Sequence, residues 1–195
     1  MGTAELRHRS KDGEVSLSGG QPVTKTLRTR ETILSELAAF PGEFQRLVIR
    51  PRDREALLRP AADGGWGVVE ILPHLRDWEE VYAERIVAIV ETDVPRLPSF
   101  DDSLWVIERD YRGQDPVETL EDLTEIRGKT VDLLTRLPPE AWQREAIFET
   151  ETPQELWHTE GKTASTWRIT LHWLCDEMCD HDREHLNQAL NAVTS

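Results

Sequence analysis

Apolar residues recur along most of this chain at steps of three and four. Ile33, Leu34, Leu37, Phe40, Phe44, Leu47 and Val48 form the first such stripe, the spacing of one face of an amphipathic helix. Helical structure is expected to begin near Thr29. Pro41-Gly42 falls inside the stripe and predicts a kink or a restart, because proline lacks an N–H and its ring crowds the preceding turn. Residues 50–65 carry two prolines and Gly64-Gly65, and predict a connection with one turn at 54–58. A second helix is expected over 67–92, with Val68, Ile71, Leu72, Leu75, Trp78, Tyr82, Ile86, Ile89 and Val90 on its apolar face and Pro73 near its start. A loop with Pro95 and Pro98 follows, then a short helix at 105–111. The third long helix is expected over 116–137, with Asp115 as N-cap, Pro116 at the first helical position, and Leu120, Leu123, Thr124, Arg127, Val131, Leu134 and Leu137 along its stripe. Pro138-Pro139 ends it. Residues 150–161 predict a surface loop. The fourth helix is expected over 164–193, capped by Thr163. No run of alternating apolar and polar residues predicts a strand.

Four long amphipathic segments without strands predict an all-α helical bundle. Proline-rich breaks and the lack of a sustained heptad argue against a coiled coil. Residues 1–26 mix charge with Ser and Gly and lack apolar periodicity, so they predict a mobile tail ahead of one domain at 27–195.

Composition narrows the partners. The 195 residues carry 37 acidic against 23 basic side chains, a formal net charge of −14. Nucleic acids and anionic membrane surfaces would repel such a chain. No apolar run approaches the roughly 20 residues of a membrane span, and the N-terminus lacks the apolar core of a secretory signal. Two cysteines, Cys175 and Cys179, are too few for a disulfide scaffold. A cytoplasmic setting is the expectation.

Histidine carries the candidate chemistry. His8 falls in the expected tail and His158 in the expected loop. His181 and His185 are four apart, so they sit one turn apart on one helix face. Leu174 and Met178 lie within about 60° of His181 on that wheel, which turns both imidazoles inward. His172 lies near the opposite side and is expected not to join them. His74 borders the apolar face of the second helix between Ile71 and Trp78. If the second and fourth helices are neighbours, three imidazoles converge. Three protein ligands plus an open position is the pattern of a catalytic rather than a structural metal site. The competing reading is three core histidines hydrogen-bonded to carboxylates. Cys175 and Cys179 point away from the histidines and are expected to be core residues. Asp77 and Glu177 are candidates to orient the imidazoles, and Gln188, one turn past His185, to touch a bound water.

The segment Trp66-Gly67-Val68-Val69-Glu70-Ile71-Leu72-Pro73-His74-Leu75-Arg76-Asp77-Trp78-Glu79 resembles the opening motif of the DinB/YfiT-like four-helix-bundle family. The segment Asp180-His181-Asp182-Arg183-Glu184-His185-Leu186-Asn187-Gln188 resembles its closing H-x-x-x-H-x-x-Q motif. Between them, residues 118–136 with a central Arg127, then Leu137, Trp142 and Arg144, resemble the third helix and its exit. Gly161-Lys162-Thr163 resembles the turn before the last helix. The resemblance implies an up-down-down-up bundle with short extra helices in the connections. It also implies a divalent metal ion, zinc or nickel, on His74, His181 and His185, and a homodimer. The loop at 150–161 is longer than the family pattern, and Pro73 directly before a ligand departs from it.

Function is expected to follow from the open metal position: a metal-dependent enzyme that activates a nucleophile toward a small-molecule substrate. With a low-molecular-weight thiol there, the protein is thiol S-transferase-like. With water, it is a hydrolase. A non-catalytic bundle that binds a metal or a small molecule is the reading outside enzymology.

Overall fold

The computed structural model describes residues 26–49, 54–60, 65–99, 102–150 and 165–194. The expected tail (but for residue 26) and the expected 150–161 loop (but for Thr150) lie outside these residues, as do His8, Trp157, His158 and the cap expected at Thr163.

Four long helices form the body: α1 (Arg30–Ile49), α3 (Val68–Glu91), α5 (Pro116–Arg136) and α6 (Leu171–Thr194). Two short helices accompany them: α2 (Arg54–Leu58), where one turn was expected, and α4 (Trp105–Glu108), which ends three residues before the short helix expected over 105–111. α5 carries the cap expected for it, Asp115, and α1 and α3 are capped at their N-termini as well. Thr29 receives the Thr32 N–H on its hydroxyl at 3.2 Å ahead of α1. Asp115 accepts from the Val117 and Glu118 N–H groups ahead of α5. Ahead of α3, Glu70 accepts the Gly67 N–H at 2.9 Å, half of a capping box. Gly67 has to be glycine: an added Cβ would lie 2.5 Å from the Arg59 carbonyl oxygen.

Neither internal proline breaks its helix. α1 runs through Pro41 without a restart. Pro41 is itself buried, and Leu37, Phe40, Phe44 and Val48 keep one buried stripe on both sides of it. Pro73 stands sixth in α3, past the first turn where an N–H has no intrahelical partner, so it removes a ladder bond. Its ring is buried beside Leu72 and His74.

Helix direction is legible from two core clusters. Ile33 and Leu37 from the start of α1 pack with Ile86 and Ile89 from the end of α3, Leu134 from the end of α5, and Leu171 and Leu174 from the start of α6. At the other end, Phe44 and Val48 pack with Val68, Leu72, Leu120, Leu123 and Ala189. Hence α1 and α6 run one way and α3 and α5 the other, the expected up-down-down-up order. Arg30 ties the start of α1 to the end of α5, donating to the Thr135 and Leu137 carbonyls at 3.1 and 2.8 Å, where a cation suits the negative end of α5.

A small sheet corrects the strand-free expectation. β1 (Arg96–Pro98), β2 (Glu145–Thr150) and β3 (Ser165–Thr170) lie in the order β1-β2-β3, the first pair parallel and the second antiparallel. The fourth helix therefore starts at Leu171, not near residue 164. Leu97, Ala146 and Ile169 turn inward and close the end of the first core cluster.

Candidate metal centre

The α3 backbone carries His74 into the bundle, where it is 5% exposed. α6 brings His181 and His185 to the same place, both half-buried. His74 Nε2 and His181 Nε2 lie 3.3 Å apart. The His185 ring centroid is 4.6 Å from that of His74 and 4.5 Å from that of His181. One nitrogen from each histidine falls within 4.8 Å of the others. The three residues predicted as ligands thus meet, and His172 stays out: its Nε2 bonds the Arg28 carbonyl at 2.7 Å instead.

The donor set fits a divalent cation. Imidazole nitrogens bound at about 2.05 Å around a tetrahedral ion are about 3.3 Å apart, the spacing of the His74 and His181 Nε2 atoms. Two of the three rings are held in the neutral form. Burial, then the neighbouring His185, lowers the His74 pKa to about 3. Burial, the other two histidines and Arg127 push His181 well below its ordinary value. Both are neutral at pH 7, and only neutral imidazole offers a lone pair. His185 Nδ1 faces Gln188 Oε1 at 2.9 Å. An amide oxygen can only accept, so Nδ1 carries the proton and Nε2 keeps its lone pair. Gln188 therefore orients a histidine.

His74 Nδ1 is buried without a hydrogen-bond partner among the described residues. Asp102 Oδ2 lies 3.8 Å from it and is held at 2.7 Å by the Trp78 indole N–H. Asp102, on the segment leading into α4, is a site residue that the sequence pattern did not reveal. The two carboxylates expected to orient imidazoles differ in outcome. Asp77 serves another knot, accepting from Arg76, Arg109 and the Tyr111 hydroxyl at 2.6 to 2.9 Å. Glu177 groups with Asp176 and Asp180, around which Arg28 donates to Asp176 Oδ1 at 2.9 Å and Asp180 Oδ1 at 2.5 Å.

Aromatic rings wall the histidines. Trp66 stacks on His185 at 6.4 Å and meets His74 edge-on at 4.9 Å. Trp78 and Tyr82 lie 5.7 and 5.9 Å from His181, and Trp105 backs Trp78 at 6.3 Å. Cys175 and Cys179 are core residues, as expected. Burial raises both thiol pKa values, that of Cys179 to about 12.

Comparison with known proteins adds the family. The model of the DinB superfamily matches residues 28–189. The chain belongs to the DinB superfamily. This superfamily member is 28% identical over 108 residues to a Bacillus subtilis (strain 168) protein named "Putative metal-dependent hydrolase YfiT". The match takes in 55% of this chain and 60% of that one, so it spans less than two thirds of the curated relative. The solved structure of YfiT from Bacillus subtilis superposes with a TM-score of 0.70 at 20% identity, covering 90% of this chain and 93% of the other. It is described as a probable metal-dependent hydrolase with an unusual four-helix bundle topology. At that identity the likeness speaks for the fold: this DinB superfamily bundle shares the architecture of YfiT.

Proposed function

We propose that His74, His181 and His185 hold one divalent cation with an open position, and that this protein is a metal-dependent hydrolase acting on a small molecule. One observation carries the reading. Three imidazoles converge, one nitrogen of each within 4.8 Å of the others, and the candidate group contains no fourth side chain among the described residues. Structural zinc sites close with four protein ligands, whereas catalytic ones keep a position free. The names of YfiT support the same class.

A cation bound there supplies a Lewis acid that brings the pKa of a water or thiol in the open position toward neutrality. The chain supplies orientation and shelter. Gln188 fixes the His185 tautomer, and Asp102 Oδ2, 3.8 Å from His74 Nδ1, is the carboxylate placed to orient the His74 ring. Trp66 and Trp78 limit water on the histidine faces and offer flat apolar surface to a substrate.

The thiol S-transferase variant uses the same position with a low-molecular-weight thiol. Such a thiol has to come from outside, because both cysteines are buried and hard to ionise. Zinc and nickel are the proposed metals, since imidazole suits both. A cytoplasmic homodimer completes the proposal. The test is elemental analysis of purified protein, followed by assays with ester and amide panels and with monochlorobimane plus candidate thiols. Stoichiometric metal that is lost in His181→Ala, with metal-dependent ester or amide turnover, is the expected result. Absence of metal after growth in metal-supplemented medium overturns the reading. Thiol-dependent turnover alone moves the protein to the transferase variant.

A further inference from the structure

Arg127 sits midway along α5 in a stripe of buried residues and is 2% exposed. Its guanidinium touches every long helix of the bundle. Nε and Nη2 reach Glu79 Oε2 on α3 at 2.8 and 2.7 Å. Nη1 and Nη2 reach the two carboxylate oxygens of Asp182 on α6 at 2.7 and 3.1 Å. Nη1 also donates to the Leu37 carbonyl on α1 at 3.3 Å. Glu79 and Asp182 are 1% and 5% exposed, and Glu79 Oε1 has no hydrogen-bond partner among the described residues.

Buried ion triads stabilise a fold poorly, because desolvating the charges offsets their attraction. Two carboxylates on one guanidinium, with an oxygen left over, make that balance worse. What a planar fork does well is fix geometry, since it binds carboxylates only in set directions. The two carboxylates here stand on the two helices that carry the histidines. Asp182 directly follows His181, and Glu79 lies five residues beyond His74. A one-residue slip of α6 against α3 would move an imidazole by about 1.5 Å along the axis and about 100° around it.

We propose that Arg127 is a positioning residue for the histidine site, locking α3 and α6 in the register that brings His74 against His181 and His185. The proposal rests on the metal reading above. A lysine cannot replace the fork, because a single ammonium cannot span both carboxylates and the Leu37 carbonyl in fixed directions.

The test is a Co²⁺ titration of the apo protein, read by its visible absorption spectrum, with melting in chelator measured alongside. The decisive variant replaces the whole triad by apolar residues of similar size (Glu79→Met, Arg127→Met and Asp182→Leu). It is expected to melt in chelator at or above the wild-type temperature, yet bind Co²⁺ at least tenfold more weakly and with an altered spectrum. A merely structural triad would instead lower the melting temperature and leave affinity and spectrum unchanged. If the triple variant does not fold, Arg127→Lys decides: tenfold weaker binding with a changed spectrum supports the lock, and a wild-type Kd and spectrum overturn it. Wild-type Kd and spectrum in a folded triple variant overturn it likewise, while leaving the metal site standing. A wild type that binds no Co²⁺ through its histidines removes both readings.

Discussion

His185 shows how one side chain can set the chemistry of another three residues along the same helix. Its Nδ1 proton is committed to Gln188 Oε1 at 2.9 Å, which leaves Nε2 for a ligand bond. Loss of such an outer partner typically weakens a metal site 10- to 100-fold. Gln188→Ala is therefore expected to bind Co²⁺ about tenfold more weakly with its helical content intact, while His172→Ala, whose ring bonds the Arg28 carbonyl, binds as wild type. Equal affinities for Gln188→Ala and wild type would remove Gln188 from the site. His74 makes a second residue-scale prediction. Burial lowers its pKa to about 3, against an ordinary 6.5 in the unfolded chain. On acidification the unfolded chain takes up this proton first, so the metal-free fold keeps its full stability above pH 6.5 and loses it progressively toward pH 3. His74→Leu should flatten that slope. Melting curves in chelator from pH 7.5 to 4.5 measure it, and an unchanged slope would show that His74 is not the group responsible.

The helices were legible in the sequence because their information is local. The apolar stripes, the Asp115 cap and the prolines that end segments place α3 and α5 within a residue of their expected bounds. Two of the three converging histidines were legible for the same reason, since the i, i+4 spacing of His181 and His185 fixes a shared helix face, whereas the approach of His74 depends on how α3 packs against α6. The sheet was not. β1 has three residues, and β2 meets β3 across the interval from Thr150 to Ser165. Pairings such as Ala146 with Ile169 and Leu97 with Phe148 are set by the end of the bundle that they cover, not by their neighbours in sequence. The Ser165–Thr170 segment runs directly into a helix, so its apolar residues extend the helical stripe of α6 and disguise a strand. Asp102 escaped for a related reason: it reaches the site from a connection with no periodicity, and only its contacts with Trp78 and His74 disclose it. Arg127 was visible as a polar residue on an apolar stripe. Its partners, drawn from three other helices, were not.

At the scale of the whole molecule, a cation on His74, His181 and His185 would be a crosslink between α3 and α6, which run in opposite directions and are 107 residues apart at their closest pair of ligand nitrogens. Binding to the folded state alone stabilises by RT ln(1 + [L]/Kd), about 2.7 kcal/mol at a hundredfold excess over Kd. For a chain of this size that is roughly 5–10 °C in melting temperature. The contribution belongs to the set of three ligands and not to each. Removing His74 or His185 should abolish nearly the whole metal-dependent shift, and removing both should abolish no more. The chelated proteins need separate treatment, because the two rings touch at 4.6 Å between centroids and their substitutions are coupled by packing alone. The quantity to compare is therefore the melting shift with and without chelator in the wild type, His74→Ala, His185→Ala and the double variant. A large shift in the wild type and almost none in the other three is the signature of shared coordination. Equal shifts in all four would mean that the metal stabilises the fold from elsewhere, and the three imidazoles would then be packing residues, His74 hydrogen-bonded to His181 and His185 to Gln188.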